Sequence, residues 1–336
     1  MSTRTARDAD TDVAWRRRAV ITSIWSSAIA LALLIAAAVI IWSWRDQLPH
    51  PLASHWSGGS APDGLSGLTS FITFMGATGL GCIALFDAIA LFSGRTAATL
   101  RMTAAGNVWI AGLLATIATG STAVQRGLAD AHHVVLPGWL LPTAMLAPLI
   151  PAVIAAFLVP ADRHQPSASR IPEGAPQIPL GASARAVWLR RTSSGPGAAI
   201  AVGSILLVVV LSIVLDTPGI LALVAVLVLV LGATLAFRVR VDATGLTVRS
   251  LLGFPSTRIR ADEVERASVI DVSPLRDFGG WGWRVGHGGR TGIVLRSGEA
   301  LLVEQTGGRS LVITVEDAAQ GAALLNTMAV RARGRG

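Results

Sequence analysis

Residues 198–250 read "AAIAVGSILLVVVLSIVLDTPGILALVAVLVLVLGATLAFRVRVDATGLTVRS", and the fold turns on where one hydrophobic pattern in them replaces another. Two uncharged apolar runs, 198–215 and 219–237, are joined by Asp-Thr-Pro-Gly at 216–219. About 20 helical residues cross the hydrocarbon core of a bilayer, so these runs predict a membrane hairpin with a tight turn. After residue 237 the runs become short and alternate between apolar and polar residues, as half-buried antiparallel strands do.

Outward from that junction, both sides keep their character. Toward the N-terminus four further runs, at about 20–44, 69–93, 107–124 and 137–160, make six expected spans in a chain of 336 residues that is 52% hydrophobic and 14% charged. The first follows Arg16, Arg17 and Arg18, is longer than a signal peptide's apolar region and lacks a small-residue cleavage site, so it is expected to remain as an anchor. Toward the C-terminus, strands are expected at 236–242, 245–251, 256–260, 265–272, 282–286, 291–297, 300–305 and 309–315. A terminal helix is expected within "EDAAQGAALLNTMAVRA", residues 316–332, which has an acidic start and a basic end. The expected fold class is therefore a membrane all-α unit of six transmembrane helices with a C-terminal mainly-β domain ending in one helix.

Arginine placement gives an orientation. The 28 basic residues are all arginine, which together with the abundant Ala, Gly and Val points to a GC-rich coding genome. With the N-terminus inside, twelve arginines fall in inner segments (Arg4, Arg7, Arg16, Arg17, Arg18, Arg95, Arg101, Arg163, Arg170, Arg185, Arg190 and Arg191), against Arg45 and Arg126 outside. Positive loops are retained in the cytoplasm, so both termini are expected inside the cell (inner) membrane, with 48–64 and 125–136 outside. The expected domains are a tail at 1–19, a four-span unit at 20–160 with an outer loop at 45–68, a Pro/Ser/Gly-rich linker at 161–196, a two-span hairpin at 197–237 and the β domain at 238–330.

Two resemblances follow from quoted residues. "GGWGWRV" (279–285) and "RTGIVLRSGEALLVEQTGGRSLVITVEDA" (290–318) resemble the second half of the bacterial pleckstrin-homology-like domains, which implies a small sheet closed by a terminal helix. Eukaryotic relatives that bind phosphoinositides use a basic turn between their first two strands, whereas the turn expected there is "VDATGLTV", without arginine. A protein partner is therefore expected, with Arg238 and Arg240 as positive-inside anchors. The glycines at 279, 280, 282, 286, 288 and 289 lie between strands and are assigned to turns, not to a phosphate loop.

The first outer loop reads "LPHPLASHWSGGSAPDG", residues 48–64. Its Pro49, His55, Trp56, Pro62, Asp63 and Gly64 resemble the loop of bacterial membrane proteins carrying the domain of unknown function sixteen forty-eight, with Ser60 where that family has glycine. The resemblance covers residues 25–90. It implies a relationship to SdpI-like immunity proteins, which protect a cell from a secreted toxin and signal its presence. Read from the residues alone, the loop is a Pro/Gly/Asp turn in which His55 pairs with Asp63. A sharper reading gathers His50, His55 and Asp63 with Asp130, His132 and His133 of "QRGLADAHHVVLPG" (125–138) as zinc-type ligands, although none has metal-motif spacing.

Inside the expected spans, Asp87 stands out, with an interfacial pair to Arg95 or Arg101 as its expected role. Pro142, Pro148 and Pro151 are expected to break the fourth span. Cys82, the one cysteine, sits in an apolar run and excludes an intrachain disulfide. No catalytic residue, cofactor or nucleic-acid partner is assigned. The expected partners are the lipid bilayer, a secreted peptide or envelope protein outside, and a cytoplasmic protein at the C-terminal domain. The expected role is a non-enzymatic immunity, signalling, envelope-stress or scaffold component. An outer-face metal-dependent hydrolase and a transporter using Asp87 and the broken span are the alternatives.

Overall fold

The computed structural model describes residues 2–57, 61–181, 184–214, 221–286 and 290–334, the side chains of 2–12, 196, 222 and 223 aside. Gly58, Gly59 and Ser60 of the first loop, the turn expected at 216–219, Gly288 and Gly289 lie outside the described residues, as do the side chains of Arg4 and Arg7. Two compact units are formed, one from Arg16–Pro160 and Leu206–Val226, the other from Met1–Trp15, Ala161–Ile205 and Leu227–Gly336.

The first unit is built on α1 (Ser2–Ser43), α2 (Leu68–Ser93), α3 (Ala97–Ala123), α4 (Leu140–Leu146) and α5 (Leu149–Leu158). Small residues let these helices approach closely: Gly79 of α2 faces Leu34, and Gly120 of α3 faces Leu140. Large apolar side chains point away from the bundle, with Phe74 74% and Phe92 and Phe157 each 79% exposed, as suits a surface solvated by lipid. Two helices begin earlier than a scan for uncharged residues suggests. The expected tail at 1–19 is part of α1, and α3 starts at Ala97, where the Thr96 side chain accepts from Thr99 N at 3.3 Å. Arg101 is tolerated inside α3 because its guanidinium donates twice to the Val159 carbonyl, each at 3.2 Å.

The fourth span breaks between α4 and α5, at Ala147 and Pro148. A Cβ on Gly112 of α3 would stand 2.7 Å from Pro148 Cβ, so glycine makes room for the ring. Trp109 Nε1 donates to the Met145 carbonyl at 3.0 Å and satisfies a polar group beside the break.

Among the described residues, five helical segments are long and apolar enough to cross a membrane: Val13–Ser43, Leu68–Ser93, Ala97–Ala123, Leu140–Leu158 and Gly197–Val214. The fifth lies in α6 (Gly195–Val214). The helix within the sixth expected span, α7 (Leu221–Thr234), has 14 described residues, or about 21 Å at 1.5 Å per residue, shorter than the hydrocarbon core. A strand already begins at Ala236.

The second unit is mainly β. One open sheet is a meander of β3 (Trp188–Ser193), β4 (Ala236–Asp242), β5 (Gly245–Ser250) and β6 (Ser256–Arg260), antiparallel throughout. The other contains β7 (Val264–Val272), β8 (Gly282–Val285), β9 (Thr291–Val294), β10 (Gly298–Gln305) and β11 (Arg309–Thr314) in the order β7-β10-β11-β9-β8, with β9 and β11 parallel. A short α8 (Pro274–Phe278) precedes β8, and α9 (Ala318–Arg333) closes the core. Gly279 ends α8 in the left-handed region at φ 66°, as a turn glycine should, whereas Gly282 belongs to β8 and not to a turn.

Residues 161–196 are not a spacer. They contribute β3, and Ile171, Ala175 and Trp188 are buried in the β-domain core. Asn326 of α9 donates to the Pro176 carbonyl at 2.9 Å, Ile178 N donates to Thr327 Oγ1 at 2.9 Å, and Ser167 N donates to the Asp262 carbonyl at 2.7 Å. The β domain therefore starts ahead of the helical hairpin instead of at residue 238, and α6 and α7 lie between its first two strands.

Candidate functional site

The site residues picked from the sequence cluster in a cap where α1 ends and α2 begins. Leu52–His55 forms β1 and Gly64–Ser66 forms β2, an antiparallel pair, and Asp63 N donates to the His55 carbonyl at 3.0 Å. Burial falls along this short strand, with Leu52 and Ala53 buried and His55 exposed. Across the pair His55 Nδ1 lies 2.7 Å from Asp63 Oδ1, and the Ser57 hydroxyl donates to Asp63 Oδ2. A Cβ on Gly64 would stand 2.8 Å from His55 Cβ, so glycine is required beside the imidazole. Hydrogen bonds from Ser57 and then His55 hold the Asp63 carboxyl below its ordinary value.

The second loop packs on the first. Trp56 Nε1 donates to the Val134 carbonyl at 3.0 Å, and Ala53, Ala131 and Val134 share an apolar cluster with Trp56, Leu65 and Val124. Gln125 is fully buried at the junction, where it bonds both backbone groups of Ala53 and donates to the Ser121 carbonyl at 2.8 Å. Arg126 donates to Gln47 Oε1 and stacks 4.7 Å from the centre of the Trp44 ring. His132 Nδ1 lies 2.5 Å from Asp130 Oδ1, and its backbone N–H followed by its side chain lowers the Asp130 carboxyl. Pro49 is buried, Pro62 half-buried, and His50 and His133 are exposed.

Each loop thus pairs one imidazole with its own carboxylate. Among the described residues no three His, Cys, Asp or Glu side chains converge, so His50, His55, Asp63, His132 and His133 are not assembled into one ligand set. Ser57 gives its proton to Asp63 and not to His55, so the imidazole is not placed to activate that hydroxyl as a nucleophile.

Asp87 belongs to a different arrangement from the expected arginine pair. The Ser27 hydroxyl of α1 donates to Asp87 Oδ2 at 2.7 Å, and Asn107 Nδ2 of α3 lies 3.2 Å from Asp87 Oδ1 and 3.3 Å from Ser26 Oγ. Three helices are stitched at one polar point, with Asn107 itself almost fully buried. The sequence reading overlooked Asn107 and Gln125. Each is a lone amide at the edge of an apolar run, and its burial depends on partners far away in the chain. Cys82 is a half-buried free thiol.

No family model, curated protein or solved structure matches the chain.

Proposed function

We propose that this chain is a non-enzymatic component of the cell membrane, with six spans and both termini in the cytoplasm, that links an outer cap to a cytoplasmic domain in an immunity, signalling or scaffold role. The cap of 48–66 and 124–136 offers exposed imidazole–carboxylate pairs on a packed base, a surface suited to a secreted peptide or envelope protein. The arginine imbalance supports this orientation. The meander, second sheet and terminal helix support a pleckstrin-homology-like reading of the β domain, with the membrane hairpin inserted between its first and second strands.

The observation that carries the proposal is the pairing of β3 with β4. Six residue pairs, from Trp188–Val241 to Ser193–Ala236, bracket α6 and α7. A displacement of these helices is delivered directly to two neighbouring strands of a hydrogen-bonded sheet, which no flexible linker would do.

Thiol labelling tests the orientation. In a Cys82→Ala background, Ser57→Cys should react with an impermeant reagent in intact cells, and Ser169→Cys, which is exposed on the β domain, should react only after lysis. Equal labelling would overturn the topology. For the role itself, cells lacking the chain should become more sensitive to envelope-directed peptides, with rescue by the intact chain but not by one ending at residue 160. Unchanged sensitivity across a panel of such peptides would count against an immunity role.

A further inference from the structure

The outward face of the four-stranded sheet is unusually basic. Strand alternation places Phe237, Val239 and Val241 inward and Arg238 and Arg240 outward, and the same alternation brings Arg191, Arg249 and Arg258 to the outer face. Register then aligns them. Arg191 of β3 is directly opposite Arg238 of β4, which is directly opposite Arg249 of β5. Three exposed guanidinium groups stand in one row across three strands, and among the described residues no carboxylate pairs with any of them. Like charges facing each other across strands destabilise a sheet unless a counter-charge covers them. Among the described residues the one carboxylate on this face is Asp242, at the far end of β4, already bound to Arg240 at 2.9 Å.

A second feature lies at the same end of the sheet. The β5–β6 turn exposes Leu251 (60%), Leu252 (53%) and Phe254 (53%). It is a built turn: Gly253 has φ 86°, the Ser250 hydroxyl donates to the Phe254 carbonyl at 2.6 Å, and Leu251 N donates to the Ala236 carbonyl at 3.0 Å. A Cβ on Gly232 of α7 would stand 3.2 Å from Leu252 Cδ1, so the turn sits against the end of that helix. The arginine row and the apolar turn therefore both adjoin the point where the chain leaves β3 for α6 and returns from α7 to β4.

We propose that this face docks on the anionic phospholipid headgroups of the membrane that α6 and α7 span, with Arg191, Arg238 and Arg249 on phosphates and the turn at 251–254 inserted among the acyl-chain ends. The proposal rests on the reading of α6 and α7 as membrane helices. Chemistry decides the partner: a planar negative surface matches a flat row of exposed guanidiniums, and apolar side chains beside them suit the interface and not an acidic protein. The site is distinct from a phosphate cradle in a hairpin turn. The β4–β5 turn carries no arginine, and the row lies on the strands themselves.

The test uses the full chain with Cys82→Ala, carrying an environment-sensitive dye at Leu251→Cys, in nanodiscs whose lipids bear brominated acyl chains. Discs of phosphatidylcholine are compared with a mixture of roughly three parts phosphatidylcholine to one of phosphatidylglycerol, which supplies the negative potential that attracts arginine. Quenching is expected to be at least about twofold stronger in the anionic discs and to fall toward the neutral value in 1 M salt, where the screening length is about 3 Å. The Arg191→Gln/Arg238→Gln/Arg249→Gln variant should lose the difference, while Arg276→Gln, an exposed arginine elsewhere paired with Asp277, should keep it. Equal quenching in the two lipids, indifference to salt, or a triple variant like the wild type would overturn the proposal. A dye at Val210→Cys in α6 separates the two readings. It should be quenched in every disc, and its failure would remove the membrane hairpin and this docking surface together.

Discussion

Gln125 holds Ala53 by both ends of one carboxamide: its Oε1 accepts from Ala53 N at 2.8 Å, and its Nε2 donates to the Ala53 carbonyl at 2.9 Å. This is the bonding a neighbouring strand would give, supplied by a side chain at the end of α3 to the edge of β1. Gln125→Leu preserves bulk but leaves two buried backbone groups without partners. At about 1–3 kcal/mol for each orphaned group, the cost is on the order of 2–6 kcal/mol. Thermal unfolding of the detergent-solubilised chain should show it, with hydrogen exchange at 52–56 rising before the rest of the bundle. Gln125→Glu keeps the acceptor and should cost less than the leucine variant.

The His55–Asp63 contact predicts a pH dependence with a definite sign. Asp63 is held below its ordinary value by Ser57 and His55, so its contribution is present above the unfolded value of about 3.8 and is lost as the pH falls through the lower folded value. The difference in melting temperature between wild type and Asp63→Asn should therefore be full at neutral pH and close in acid below that range. His55→Ala and Asp63→Ala should cost similar amounts, and the double variant little more than either, because residues in contact are not additive. Additive costs would show that the pair is not a working contact. Gly64→Ala tests the same place sterically and should loosen the β1–β2 pair, since its Cβ would crowd His55.

Inside the bundle, Asp87 should behave as a partner of Ser27 and Asn107. Interhelical hydrogen bonds in membranes contribute on average about 0.6 kcal/mol, with a maximum of about 1.7, so Asp87→Leu should lower stability by roughly 1–2 kcal/mol and Asp87→Asn by less than half of that. Arg101 is engaged with the Val159 carbonyl, so the costs of Asp87→Leu and Arg101→Gln should add. Strong coupling between those two variants would restore the interfacial ion pair expected from sequence. A transporter using Asp87 would instead lose uptake in Asp87→Asn while keeping its melting temperature.

What the sequence disclosed follows the range of each signal. Strand alternation after residue 236 is local, and β4, β6, β7 and β11 fall within a residue or so of where it places them. The pairing of His55 with Asp63 was also legible, because both lie in one turn. Charge misled the reading of helix ends: Arg16 to Arg18 and Arg101 lie inside α1 and α3, since guanidinium groups at helix ends find partners such as the Pro160 carbonyl, to which Arg18 donates at 3.0 Å. Gln125 and Asn107 gave no sign of burial because Ala53 and Ser26, which they bond across the bundle, lie more than 70 residues away in the chain. β3 was hidden for the same reason. "WLRRTS" has two adjacent arginines in a Pro- and Gly-rich segment, and the strand that pairs with it begins only after two intervening helices.

That hidden strand leads to the clearest prediction about folding. Residues 238–330 contain the alternating pattern that looks like a complete domain, yet Trp188 of β3 is buried in its core and Gly321 of α9 is shaped around it, since a Cβ there would stand 2.9 Å from the indole Cη2. Without residues 161–193 the piece would expose the β4 edge and lose Trp188, Ile171 and Ala175 from the core. Burying a large side chain contributes roughly 1.5–3 kcal/mol, and the whole stability of a small domain is about 5–15 kcal/mol, so the truncated piece should be unfolded or aggregated. Ser193 pairs with Ala236, which places the ends of β3 and β4 side by side. A chain of 161–193 joined to 236–334 by a short Gly-rich turn should therefore recover a cooperative melt and dispersed amide resonances. Gly321→Val in that chain should weaken it by displacing Trp188. If 238–330 alone gives the same melt as the joined chain, β3 is dispensable, and the hairpin is not built into the domain as the pairing indicates.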